Sequence, residues 1–188
     1  MLNDLIMEGL KDLGGPESTS FGSQRTSADQ LEHYARESLL AHDERFQRPK
    51  GVRAPGDVLF VDGLRTAHIN IKSVDHSKDF HMPNLISVDN LWRIFKQGDD
   101  FCLLVLAHSA GTLISKTFVD IRSVDWDCLR LAALGTGQIQ IKDSSKPLSS
   151  WQGDAKAWMR RMRKEVISFY EHEKQKLDKR IMAWESRG

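Results

Sequence analysis

Cysteine is nearly absent: the 188-residue chain has 2, and Cys102 and Cys128 lack the paired spacing of a zinc site. Two thiols make a poor disulfide framework. A stapled secreted domain is thereby excluded, and a reducing cytoplasm is the expected compartment. Long hydrophobic runs are missing as well; none reaches the ~18 residues that suggest a transmembrane helix. The opening Met1-Leu2-Asn3-Asp4-Leu5-Ile6-Met7-Glu8 has acids where a secretory signal has a basic segment. A dominant charge is lacking too. At +1 the chain is no polycation, so any nucleic-acid surface must be local. No repeat with a period of roughly 20–50 residues appears, which excludes a solenoid. His68, His76, His81 and His108 show no metal-ligand spacing.

What is present is an ordinary globular mixture, 40% hydrophobic and 28% charged, which argues against a disordered or membrane class. The length suits one domain, residues 1–188, with an adequate core. Leu2 to Leu13 read as a short helix ended by Gly14-Gly15-Pro16. Ser27-Ala28-Asp29-Gln30 is a capping box before a helix to about His42. Its buried stripe should be Leu31, Tyr34, Ala35, Ser38 and Leu39, with Glu32 bordering that stripe and Glu37 on the far side. Ser87 should cap a helix through Lys96, stopped by Gly98. Phe101 to Ala107 reads as a buried strand, Leu113 to Ile121 as an alternating one, Ser123 to Leu134 as a short helix, and Gln138 to Lys142 as a strand. After a Ser, Pro and Gly linker, a helix of ~45 Å should run from about Asp154 to Trp184 or Glu185. Its stripe would be Trp158, Met162, Val166, Phe169, Leu177, Ile181 and Trp184.

The chain is organised around Pro55 to Ser73. Two apolar runs, Val58 to Val61 and Ala67 to Ser73, flank a turn holding Asp62-Gly63, a hairpin signature. Asp57 precedes the first strand. Asn70 and Lys72 share one face of the second, while Ile69 and Ile71 take the other. An acid, an amide and an ammonium group therefore converge. Magnesium takes hard oxygen ligands and keeps several waters. It polarises phosphoryl oxygens and helps make hydroxide. A neighbouring lysine can orient the attacking water or neutralise charge developing on a phosphate. Asp57, Asn70 and Lys72 are thus candidate catalytic residues, with Asp57 and Asn70 as magnesium ligands.

Basic groups crowd the approach to Asp57. Arg45, Arg48, Lys50 and Arg53 are candidate contacts to backbone phosphates. The polar and aromatic run Val74 to Asn84 follows the lysine strand, and His81 and Asn84 in it are candidate DNA contacts. Gln138, Gln140 and Lys142 share a strand face, and glutamine can read base edges in a groove. Leu103 to Gly111 approaches a Gly-x-Ser-x-Gly nucleophile elbow around Ser109. Ala107 replaces the first glycine, however, and a strand pattern follows where that motif needs a helix.

Asp57 followed by Asn70-Ile71-Lys72, with the loop Phe80 to Ser87 behind it, resembles the PD-(D/E)xK motif of type II restriction endonucleases over roughly residues 25–142. The departures are Asn70, where the pattern has Asp or Glu, and a proline set back at Pro55. The resemblance implies an α/β fold with an αβββαβ-like core, a mixed central sheet flanked by helices, and here a long C-terminal helix. It implies a magnesium-dependent, sequence-specific endonuclease of double-stranded DNA, commonly a homodimer, which the long helix would suit. It also implies a first-helix glutamate at the metal, assigned to Glu32, with Glu37 as substitute. The alternatives are a DNA-binding protein with a nuclease-like fold and a weakened metal site, or a repair or phage nuclease of the same superfamily.

Overall fold

The computed structural model describes residues 1–13, 24–51, 54–77, 82–109, 112–132, 137–144 and 146–187, without the side chains of 24–28. In chain order these form α1 (Leu2–Gly9), α2 (Gln24–His42), β1 (Phe46–Gln47), β2 (Val58–Asp62), β3 (Arg65–Asp75), β4 (Asn84–Ser87), α3 (Val88–Gln97), β5 (Asp100–Ser109) and β6 (Thr112–Asp120). Two 3-10 turns, Ile121–Ser123 and Trp126–Cys128, then lead to β7 (Leu129–Ala132), β8 (Gln138–Ile141) and α4 (Ala155–Glu185).

The expected hairpin forms from β2 and β3. Asp62 pairs with Arg65, and the intervening Gly63 has φ 60°, the left-handed backbone that a two-residue hairpin loop requires. β3 lies third in a five-stranded mixed sheet of order β1-β2-β3-β5-β6. The β3–β5 pair is parallel and the others antiparallel. α3 makes the crossover that a parallel pair needs. A second, antiparallel sheet has the order β4-β8-β7.

The large sheet is covered on both faces. Ile69, Ile71, Cys102, Leu104 and Leu106 pack with Ile6 and Leu10 of α1 and Leu31, Ala35 and Leu39 of α2. Phe101 and Leu103 point the other way, towards α3, the second sheet and the start of α4. This two-sided burial explains why β5 is a continuous apolar run rather than an alternating one. α3 begins where Ser87 Oγ accepts the N–H of Asn90 at 3.3 Å, as the sequence indicates.

Some expectations are corrected. The described part of the expected Ser123 to Leu134 helix, to Ala132, forms short 3-10 turns and a strand rather than an α-helix. Leu129 and Leu131 bracket Arg130, and this period of two forms β7, paired with β8. Helix α2 already runs from Gln24, so Ser27 stands inside it rather than at a cap. Tyr34 is exposed, off the stripe of Leu31, Ala35 and Leu39. Gly14-Gly15-Pro16 and the loop to Gly22 lie outside the described residues.

α4 starts at Asp154, whose Oδ1 accepts the N–H of Ala157 at 2.6 Å, but only its first turns join the core. Trp158 is fully buried, its indole N–H donating to Val124 O at 2.8 Å and its ring 5.0 Å from that of Trp126. Met162 is also buried, whereas Leu177, Ile181 and Trp184 are exposed, contrary to a single buried stripe. Trp158 is therefore the anchor of α4. Trp158→Ala should cost about 3–5 kcal/mol of unfolding free energy, to be read from a urea transition. A loss below ~1 kcal/mol would show that α4 is not held there.

Candidate active site

β2 and β3 part company at Asp57. The last ladder pair is Val58 with Ile69, yet β3 continues to Asp75, paired only with β5 on its other side. Buried backbone N–H groups must find acceptors. Asp57 Oδ2 accepts the N–H of Ile71, and Glu32 Oε1 that of Ser73, each at 2.7 Å. Two carboxylates, one from the hairpin and one from α2, thus replace the missing strand with charge-assisted hydrogen bonds. Gly56 permits the close approach. A Cβ there would stand 3.1 Å from Ile69 O, and Asp57 N–H donates to that same carbonyl at 2.8 Å.

Lys72 completes the group, its Nζ 3.8 Å from Glu32 Oε2. Glu32 is mostly buried, and burial raises its pKa above the ordinary 4.5. Lys72 and the Ser73 N–H oppose the rise, while Asp57 and Asp29 add to it. Asp29, Glu32, His33, Arg36 and Asp57 line a cleft of about 220 Å³. Arg36 Nη2 lies 2.9 Å from His33 Nδ1. Glu37 is spent elsewhere, accepting from Arg36 at 3.3 Å and from Arg48 at 2.5 Å. Of the two first-helix glutamates, the geometry puts Glu32 at β3.

Asn70 behaves differently from its expected companions. It faces the second sheet, with 8% of its surface exposed. Its Nδ2 donates to Leu85 O at 3.0 Å, and its Oδ1 is buried without a protein partner. Among the described residues, no three His, Cys, Asp or Glu side chains are grouped to hold a metal ion. Asp57 and Glu32 bring two carboxylates to the β3 edge, and Asn70 Oδ1 is a separate buried oxygen. The chain matches no protein-family model and no curated protein. The case for a site therefore rests on this geometry.

The expected DNA contacts are dispersed. Arg45 forms a two-pronged pair with Asp43 at 2.9 and 2.7 Å and lies over the Phe60 ring. Arg48 is held by Glu37, and Lys50 is exposed. Gln138 is half-buried on β8. Gln140 is buried and donates to Asn84 Oδ1 at 2.6 Å, so these two residues engage each other. Arg53 and His81 lie outside the described residues. Asp29, His33 and Arg36 were missed from the sequence. Their signal was available: with Glu32, the positions 29, 32, 33 and 36 form one helical face.

Two predictions follow from this chemistry. Protonated Glu32 suits the folded state; as pH rises from below 4.5 through its raised folded-state pKa, that stability is lost. Glu32→Gln should therefore gain stability over the parent as pH rises from about 4 to 8, measured by chemical denaturation. A pH-independent difference would sink the assignment. Asn70→Asp would set a carboxylate oxygen against Leu85 O in a buried place. It should cost at least ~1–3 kcal/mol, partly recovered by millimolar magnesium in a thermal melt. Equal losses with magnesium and with chelator would remove position 70 from any metal site.

Proposed function

We propose that this chain is a magnesium-dependent, sequence-specific endonuclease of double-stranded DNA, similar in design to type II restriction endonucleases. One observation carries the reading. Asp57, Glu32 and Lys72, from three separate segments, meet where β2 leaves β3. The element order lends further support: helix, three strands, helix and strand run through α2, β1, β2, β3, α3 and β5, with β4 diverted into the second sheet.

Asp57 and Glu32 would hold magnesium, with Asn70 Oδ1 as a neutral oxygen donor. Each carboxylate gives one oxygen to the β3 backbone and keeps the other. Bound magnesium would supply Lewis-acid polarisation of the scissile phosphate and a lowered pKa for the attacking water. Lys72 orients that water and offsets charge building on the phosphate oxygens. Arg36 lines the same cleft and can meet a backbone phosphate.

A second reading has an observation of its own. Asn70 is committed to Leu85 O and adds no charge, which favours a DNA-binding protein of nuclease-like fold with weak or absent cleavage. Digestion of a large unmethylated phage genome separates the two. Discrete fragments with magnesium and none with chelator are expected, and their mapped ends would give the site. Lys72→Ala should abolish those fragments while DNA retention in a gel-shift assay stays within about threefold, because the lost group stabilises the transition state. Undiminished cutting by Lys72→Ala would overturn its role. Intact DNA from the parent chain, with binding retained, would favour the second reading.

A further inference from the structure

The second sheet ends on an open edge, because β7 pairs with β8 alone. Lys142 N–H donates to Cys128 O at 2.8 Å, which makes these two a hydrogen-bonded pair. By the alternation of an antiparallel ladder, Arg130 and Ala132 also turn their backbone groups towards β8. Leu129 and Leu131 therefore turn theirs outwards. Leu129 N–H is satisfied locally by Trp126 O. The Leu129 and Leu131 carbonyls and the Leu131 N–H have no partner among the described residues.

A groove of about 330 Å³ runs along this edge, and Leu129, Arg130 and Leu131 all line it. Successive strand residues point to opposite faces, so a cavity touching three in a row lies on the strand's edge. Glu165, Ser168, Phe169 and His172 of α4 form the other wall, one helical face about 10 Å long. That length takes about three residues of extended chain. Trp126 also lines the groove. It is 4% exposed, and its indole N–H has no acceptor among the described residues.

We propose that this groove takes an extended acidic peptide of a partner protein, added as a further strand on β7. The unmet groups are those that a peptide backbone satisfies: carbonyls for the Leu131 and Trp126 N–H groups, and N–H groups for the two leucine carbonyls. Charge selects the side chains. Arg130 is exposed and meets only the Met82 thioether, 3.1 Å away. Lys142 Nζ meets only the Asp127 carbonyl, at 3.3 Å. Glu165, the acid among the lining residues, is held by Arg161 at 2.8 Å. The rim is therefore positive, above a wall of Leu129, Leu131 and Phe169. A peptide alternating acidic and apolar residues suits both. Its apolar side chains fall beside Leu129 and Leu131, and its acids fall on the opposite face, beside Arg130. The inference does not rest on the proposed cleavage.

The test is a nitrogen-15 NMR titration of the full chain with acetyl-Glu-Val-Glu-Val-Glu-amide. The Leu131 amide and Trp126 indole resonances should shift and saturate with a Kd below about 1 mM. The Lys-Val-Lys-Val-Lys counterpart should move neither, and Arg130→Glu should shift the preference towards it by about tenfold. N-methylating both valines, or instead every glutamate, should give affinities about tenfold apart, because a strand turns alternate N–H groups to opposite edges. Equal affinities of those two peptides would overturn the proposal. So would a Leu131 resonance unmoved at roughly 5 mM peptide. A single-stranded tetrathymidylate that shifts the same two resonances at lower concentration would give the groove to nucleic acid and overturn it as well.

Discussion

β3 is longer than the strand that pairs with it, and its surplus N–H groups cannot be left bare. An orphaned buried donor costs about 1–3 kcal/mol. Here the acceptors are the carboxylates of Asp57 and Glu32. That substitution fixes several things together. It holds α2 against the sheet at a defined height, since Glu32 stands about two turns before Leu39 of the buried stripe. It opens the hairpin at the point where Asp57 turns out of the ladder. It also draws two anions to one edge, next to a lysine. A structural need and a chemical opportunity thus use the same atoms.

A carboxylate that caps a strand edge is not thereby used up. It has about four lone-pair sites on two oxygens, and each of these backbone bonds takes one. The remaining oxygen of Glu32 faces Lys72. A purely structural cap would be served as well by a neutral amide, without desolvating a charge. The raised pKa of Glu32 records that desolvation, and retaining a costly ionisable group in a cleft is characteristic of working sites.

Much of the fold was legible because it is local. The Asp62-Gly63 turn, the Ser87 cap and the unbroken run of β5 depend on neighbours in sequence. That Asp57 would stand at the mouth of the β2–β3 hairpin was likewise foreseeable, because a hairpin fixes which residues face each other. β7 was misread because Ser123 to Leu134 mixes two periods, and its strand exists only through pairing with β8. The fate of Asn70 was not legible at all. Its partner is the backbone carbonyl of Leu85 in another sheet, and no pattern in the side chains announces a carbonyl. Asp29, His33 and Arg36 were passed over for the opposite reason: polar residues along a helix ordinarily face water, and only the position of Asp57 turns that face into a cleft wall.

The asparagine also makes sense electrostatically. The cleft already gathers Asp29, Glu32 and Asp57, and the first two sit on one face of α2. Like charges at such range raise one another's pKa, as Asp29 and Asp57 do to Glu32. A further carboxylate at position 70, buried against Leu85 O, would deepen that repulsion with Lys72 as the nearby strand cation. An amide removes the charge, supplies a donor to the carbonyl, and still leaves one oxygen. The resulting position carries no charge to desolvate. Asn70 thus meets the Leu85 carbonyl as a donor where a carboxylate would meet it as a second acceptor.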